Sequence, residues 1–135
     1  LKLTKNPYYC SILLILLTNI ISPMLDTVLR YVKINLSTGL AVTLVSAAYI
    51  GEVYSKNYKE IMSKSSRWKV AITYVIINLP ITLIGFFLFN KTIPADTYFK
   101  IFLIASTITS FALSLFAIYW LLGFAGKYYL NKLSK

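Results

Sequence analysis

The sequence predicts an all-α membrane protein, an antiparallel bundle of four transmembrane helices that forms one domain over residues 1–135. Four apolar stretches, separated by short segments that hold nearly all of the charge, fill the chain at positions 8–25, 36–54, 70–89 and 99–124. A bilayer core about 30 Å thick needs roughly 20 apolar residues in a helix. The stretches also lack the polar outer face of a soluble helix. Between Phe102 and Gly126, for example, there is no charged residue.

The distribution of positive charge predicts the orientation. The chain has a net charge of +10 and fourteen Lys and Arg residues. Ten of these lie on the two tails and the second connection, namely Lys2, Lys5, Lys56, Lys59, Lys64, Arg67, Lys69, Lys127, Lys132 and Lys135. The positive-inside rule therefore places both termini in the cytoplasm. A basic cytoplasmic face attracts anionic lipid headgroups, so we expect membrane lipids, and no nucleic acid, as the partner of this charge.

The first stretch is interpreted as a retained span. Two lysines precede it, as in a signal peptide, but Ser22-Pro23-Met24 lacks the small-x-small pattern of a cleavage site. Within the span, Asn19 is an amide at membrane depth and needs a polar partner. Asp26 and Arg30 follow in the first outer loop, over 26–35, and are spaced to form an ion pair at the helix end.

The second stretch contains small residues at helical spacing. Ala47 and Gly51 lie four residues apart, a pattern that lets two helix backbones approach closely in a membrane. Glu52 is the acidic residue closest to a span, and ionisable groups there are candidates for function. Because Lys56 follows four residues later, the sequence favours a helical ion pair for Glu52.

The second connection, over 55–69, allows two interpretations. Its apolar residues, including Tyr58, Met62 and Trp68, fall near one helical face, which is typical of a short helix lying in the membrane interface. The alternative is a solvated extension of the second span followed by a turn at Ser65-Ser66. The sequence alone leaves both open.

The third stretch combines an amide with a proline. Asn78 lies two residues before Pro80, which cannot donate its backbone amide and is expected to kink the helix. Together with Asn19, these residues are candidates to line a polar pocket within the membrane, although the sequence favours a role in helix packing.

The fourth stretch carries the longest run of small residues. Asp96 precedes it as a candidate helix cap. Ser106, Ser110 and Ser114 then recur every four residues and could pack within the bundle, against another copy or against a different membrane protein.

The residues that usually carry catalysis are missing. The chain has no histidine and one cysteine, Cys10. No base is placed to activate a hydroxyl nucleophile, and no carboxylate lies at mid-membrane depth. We therefore expect no enzyme, no catalytic residue, no metal site and no cofactor.

Several short motifs resemble an uncharacterised family of small four-span bacterial inner-membrane proteins. They are the segment 46–51, Ser-Ala-Ala-Tyr-Ile-Gly, the entry Arg67-Trp68-Lys69 to the third span and the segment 119–122, Tyr-Trp-Leu-Leu. Where that family tends to have a Pro and a Glu, this chain has Ile61-Met62-Ser63 and Ser65-Ser66. The resemblance implies a location in a bacterial inner membrane and carries no activity.

Two functions follow as expectations. The first is a non-catalytic protein that binds another membrane protein, for example as an immunity or accessory protein. The second is a small carrier or channel component, working as a homo-oligomer, for a lipid-linked or hydrophobic solute.

Overall fold

The computed structural model describes residues 3–34, 38–89 and 97–135, and in these ranges the chain is helical apart from short connections and the termini. Four helices follow one another: α1 (Pro7–Tyr31), α2 (Gly39–Tyr58), α3 (Lys64–Phe89) and α4 (Thr97–Leu133). Among the described residues, α1, α3 and α4 are long and apolar enough to cross a membrane, whereas α2 does not meet that criterion. The all-helical class is confirmed, with three candidate membrane spans.

Helix α1 is longer than the sequence predicted. Asn6 caps it by accepting a hydrogen bond from the Tyr8 amide at 3.0 Å, and Pro7 occupies the first helical position. The helix passes through Pro23 and ends at Tyr31, so the predicted loop at 26–35 begins too early. Asp26 therefore lies in the helix. The start of the second predicted span and the proposed cap Asp96 fall outside the described residues.

Of the two interpretations of the second connection, the short interfacial helix is wrong. Helix α2 continues to Tyr58 and ends at Lys59, which adopts a left-handed conformation with φ of 57°. Helix α3 begins only five residues later at Lys64, where the Ser63 hydroxyl accepts from the Ser66 amide at 3.2 Å. The alternative, an extension of α2 followed by a turn, is correct, but the turn lies at 59–63 rather than at Ser65-Ser66.

The helices form a ring in the order α1, α2, α4, α3, with contacts between each neighbouring pair. Contacts 59 residues apart join α1 to α3 at Ser11 with Val70 and at Asn19 with Asn78, so these two helices run parallel. Helices α2 and α4 are also parallel, since Gly51 faces Leu122 and the next turn brings Gly126 against α2. The predicted antiparallel arrangement holds for α1 with α2 and for α3 with α4.

Apolar packing is concentrated in one half of the bundle, formed by residues 3–17, 47–71 and 115–133, which we call the closed half. Its fully buried side chains include Leu14, Ile50, Met62, Ile118 and Leu122. The tail before α1 packs here too, because Leu3 is buried and its carbonyl oxygen accepts a hydrogen bond from the Tyr58 hydroxyl. We call residues 18–34, 38–46, 74–89 and 97–114 the open half.

Candidate functional site

Two amides meet in the open half, between α1 and α3. The Asn19 Nδ2 donates to Asn78 Oδ1 at 3.0 Å and to the Ile15 carbonyl oxygen at 2.9 Å. The Asn78 Nδ2 donates to the Tyr74 carbonyl oxygen at 3.0 Å. Each amide was expected to need a polar partner, and the two amides are hydrogen-bonded to each other.

Hydroxyl groups extend this pair toward α2. Thr43 Oγ1 and the Tyr74 hydroxyl lie 3.0 Å apart, which joins α2 to α3 across the ring. The Thr43 hydroxyl also contacts the Gly39 carbonyl oxygen at 2.8 Å and Thr18 Oγ1 at 3.5 Å. The polar side chains of three helices therefore converge on one point inside the bundle.

A pocket of about 400 Å³ opens at this convergence, and all four helices contribute to its lining. The buried residues of its described lining, which we call the pocket floor, each carry a hydroxyl or amide group. They are Thr18, Ser22, Thr43, Tyr74, Asn78 and Ser114. Its exposed rim mixes polar and apolar side chains, among them Asn19, Leu40, Ser110 and Leu113. Pro80, which was predicted beside Asn78 as part of a polar lining, is exposed and does not line the pocket.

At one end of the pocket, the carboxylate of Asp26 joins α1 to the start of α2. Asp26 Oδ1 accepts from the Thr38 amide at 3.1 Å and from the Thr38 hydroxyl at 2.8 Å. Thr38 in turn contacts Ser22 of the floor, with its hydroxyl 3.2 Å from the Ser22 carbonyl oxygen. Asp26 thus fastens the start of α2 to α1, in the place of the ion pair that the sequence predicted with Arg30. A negative charge at a helix N-terminus is favourable.

Hydrogen-bonding capacity is left over at the pocket. Asn19 Oδ1 and the second Nδ2 hydrogen of Asn78 have no partner within the described residues. Asn78 is only 4% exposed. A buried amide with an unused donor is costly in an apolar environment, so the site is suited to a molecule that brings a complementary group.

The small residues predicted as a packing or partner face divide into two groups. Ala47, Gly51 and Ser114 are buried inside the bundle. A Cβ added at Gly51 would lie 2.5 Å from the Leu122 carbonyl oxygen, so the glycine permits the close approach of α2 and α4. Ser106 and Ser110 are exposed.

The other acidic residues that the structure describes, Glu52 and Glu60, do not line the pocket. Glu52 is exposed and forms no ion pair with Lys56, both of which the structure describes. Glu60 instead pairs with Lys5 at 2.8 Å. The hydrogen bond and charge of Lys5 lower the pKa of the Glu60 carboxyl below its usual value, and Glu60 raises the pKa of Lys5.

The basic connection is largely solvated. Lys56, Lys59, Lys64 and Lys69 are exposed. Arg67 is half-buried. Its guanidinium carbon lies 4.6 Å from the centroid of the Tyr119 ring, and its guanidinium group packs against Gly123. The Nε of Arg67 has no hydrogen-bond partner within the described residues. One of the five predicted basic residues therefore packs against α4, and four face outward.

Sequence reasoning missed most of the pocket floor. Tyr74 lies one helical turn before Asn78, and Ser22 lies about one turn after Asn19. A search for polar residues at this spacing from each amide would have found them. Thr43 lies on a helix without a buried amide, so this search would not have found it. Across the described residues, no group of three His, Cys, Asp or Glu side chains could hold a metal ion.

Comparison with known proteins adds nothing to this geometry, since no protein-family model, curated protein or solved structure matches the chain.

Proposed function

We propose that this chain is a non-catalytic protein of the bacterial inner membrane whose pocket binds a small lipid-linked or hydrophobic solute, as one subunit of an oligomeric carrier. The observation that carries the proposal is the polar floor inside an otherwise apolar bundle, with unused hydrogen-bonding capacity at Asn19 and Asn78. This was the second of the two functions expected from the sequence, and the pocket is the reason to prefer it.

A role in packing alone accounts for the floor less well. Polar side chains that only join helices are expected to satisfy one another, because an unpaired group in hydrocarbon is costly. In the residues that the structure describes, Asn19 Oδ1 and one Nδ2 hydrogen of Asn78 instead stay without a partner. Binding sites commonly lie between the helices of bundles.

We further propose that all four helices cross the membrane, with both termini in the cytoplasm. The contacts of α2 with α1 and α4 and the excess of positive charge at the closed half support this topology. The test is labelling by an impermeant thiol reagent in a Cys10→Ser background. Tyr31→Cys should react in intact cells and Lys59→Cys only after permeabilisation. The reverse pattern would overturn the orientation.

The test of binding is a matched pair of variants that each replace a threonine by valine. Thr43→Val removes a hydroxyl from the pocket floor, whereas Thr109→Val removes one from the exposed side of α4, where it bonds only its own helix at 2.8 Å. Protein purified from its native membrane in mild detergent should retain a small molecule, visible by native mass spectrometry. We expect the ligand to be lost in Thr43→Val and kept in Thr109→Val.

The same preparation tests the carrier role. The native mass should show a homo-oligomer, and protein reconstituted into liposomes should transport the retained molecule unless Asn78 is replaced by leucine. A monomer without any bound molecule, or equal transport by Asn78→Leu, would contradict the proposal.

A second function, binding to another membrane protein, is favoured by the first half of α4. Phe102 and Leu113 are each 66% exposed, and Ser106 between them is exposed as well. Ser106→Leu tests this function separately from the pocket, because Ser110 lines the pocket and Ser106 does not. A foreign partner in stoichiometric amount that is lost in Ser106→Leu would establish partner binding.

A further inference from the structure

We infer, on the basis of the proposed function, that the pocket binds the neutral, hydroxyl-bearing head of a glycerolipid such as mono- or diacylglycerol. The acyl chains remain in the bilayer. Three properties of the site lead to this ligand class: the absence of charge in the lining, the kind of hydrogen-bonding groups left unused, and the apolar rim.

Among the residues that the structure describes, the lining contains no Asp, Glu, Lys or Arg side chain. The charge linked to it most directly is Asp26, which binds Thr38 above Ser22. An anionic head such as phosphate would therefore enter a site with no cation to pair with and with a carboxylate nearby. Moving an unpaired charge into such a place is strongly unfavourable, which excludes phospholipid heads and favours a neutral one.

The unused groups are one donor and one acceptor, close together. They are the second Nδ2 hydrogen of Asn78 and Oδ1 of Asn19, on side chains already joined by a hydrogen bond at 3.0 Å. A hydroxyl both donates and accepts, so a single hydroxyl group satisfies both. The hydroxyls of the floor largely donate within the protein, for example Thr43 to Gly39 and Ser114 to Ser110. They retain lone pairs for a second hydroxyl of the ligand.

The rim and the volume indicate a lipid rather than a free polyol. Pro23, Leu40 and Leu113 are exposed at the rim, on helix faces that meet acyl chains in a membrane. The volume of about 400 Å³ corresponds to roughly a dozen water molecules at about 30 Å³ each. That is enough for a glycerol unit with the start of its chains, and too little for the whole lipid.

The test is photocrosslinking in nanodiscs of phosphatidylcholine. Three probes carry the same diazirine near the glycerol end of one chain and differ only in the head: diacylglycerol, phosphatidate and phosphatidylcholine. Labelled peptides are mapped by mass spectrometry. We expect diacylglycerol to label the α1 and α3 residues around Asn19 and Asn78 at least 5-fold more than the other two probes do. Excess unlabelled diacylglycerol should compete, and free glycerol should not.

Variants connect the labelling to the pocket. Thr43→Val and Asn78→Leu should reduce pocket labelling by diacylglycerol at least 5-fold, and Thr109→Val should leave it unchanged. Thermal melting of each variant shows whether a loss of labelling reflects a loss of folding.

The outcomes separate the two proposals. Preferential labelling by phosphatidate, equal labelling by all three probes, or competition by free glycerol would overturn the ligand class and leave pocket binding in place. Absence of pocket labelling by every probe, in a protein that also retains no small molecule on purification, would overturn both.

Discussion

The closed and open halves of the bundle are built from different side chains, although the same four helices pass through both. In the closed half, buried aliphatic side chains such as Leu14 and Ile118 fill the space between the helices. In the open half, the buried positions are mostly polar, such as Thr18, Asn78 and Ser114, and they surround a pocket. Lipid chains are as apolar as leucine, so helices associate in a membrane through close packing and hydrogen bonds. The closed half uses mainly packing and the open half mainly hydrogen bonds.

This difference predicts that stability resides in the closed half and binding in the open half. Substitutions in the closed half should lower the free energy of unfolding and leave ligand binding intact in the protein that remains folded. Substitutions in the pocket should reduce ligand binding and lower the free energy of unfolding less. The variants that follow test this division, and each has a matched control on the same chain.

The largest expected effect is that of Leu14→Ala. Leu14 is fully buried in α1, while Leu16, two residues later, is 50% exposed. Truncating a buried leucine typically costs about 2–5 kcal/mol, because the cavity left behind refills only partly. We expect Leu14→Ala to lower the free energy of unfolding by that amount, measured by SDS titration in mixed micelles, and Leu16→Ala to change it little. Equal effects of the two variants would mean that the closed half is not the stable core.

The next largest effect is expected for Gly51→Ala. The added methyl group would lie 2.5 Å from the carbonyl oxygen and 3.0 Å from the Cα of Leu122, which are backbone atoms and cannot move aside. Overpacking of this kind typically costs about 1–3 kcal/mol. The control is Gly85→Ala, where the methyl group meets open space. Alanine is the better helix former, so this control should be neutral or slightly stabilising. A neutral Gly51→Ala would show that α2 and α4 lie farther apart.

The features that depend on local sequence could be predicted. Long apolar runs gave the helical class, and the spacing of Ala47 and Gly51 identified a close helix contact. The depth of Asn19 and Asn78 in their spans indicated that each needs a polar partner. In each case the physical cause acts within one helix or follows directly from placing that helix in lipid.

The features that depend on which helices are neighbours could not be predicted. The sequence does not state that α1 lies beside α3 or that Asn19 faces Asn78, so the pocket was only one of two interpretations of these amides. The predicted pair of Glu52 with Lys56 is wrong. The glutamate that forms an ion pair in the described residues is Glu60, and its partner Lys5 is distant in sequence, which helical spacing does not indicate.

A smaller effect is expected in the open half, from the amide pair itself. In a double-mutant cycle of Asn19→Leu and Asn78→Leu, the coupling energy should be about 1 kcal/mol, the usual size for a hydrogen bond between membrane helices. Asn19→Leu combined with Thr109→Val should be additive, because Thr109 bonds only to Ala105 of its own helix. A coupling near zero for the two asparagines would mean that the amides do not hold α1 to α3.

The smallest effect is expected from the ion pair that joins the tail to the second connection. Because the pKa of Glu60 is lowered in the folded protein, its contribution to stability is present above the usual pKa of a glutamate and is lost as the pH falls through the lowered value. The raised pKa of Lys5 gives a contribution that is lost only as the pH rises through that raised value. Thermal melting of wild type and Glu60→Gln should therefore differ slightly at neutral pH and converge in acid.

The control for this ion pair is Glu52→Gln, which removes an exposed carboxylate that has no ion pair among the described residues. Its difference from wild type should not follow this pH dependence. The difference for Glu60→Gln should be small, since the side chains of Lys5 and Glu60 are 60% and 50% exposed and water and salt screen them. A large effect would mean that the ion pair, rather than buried Leu3 and its hydrogen bond from Tyr58, holds the tail on the closed half. Stability there would then depend on salt, and the contrast between a closed half held by packing and an open half held by polar groups would fail.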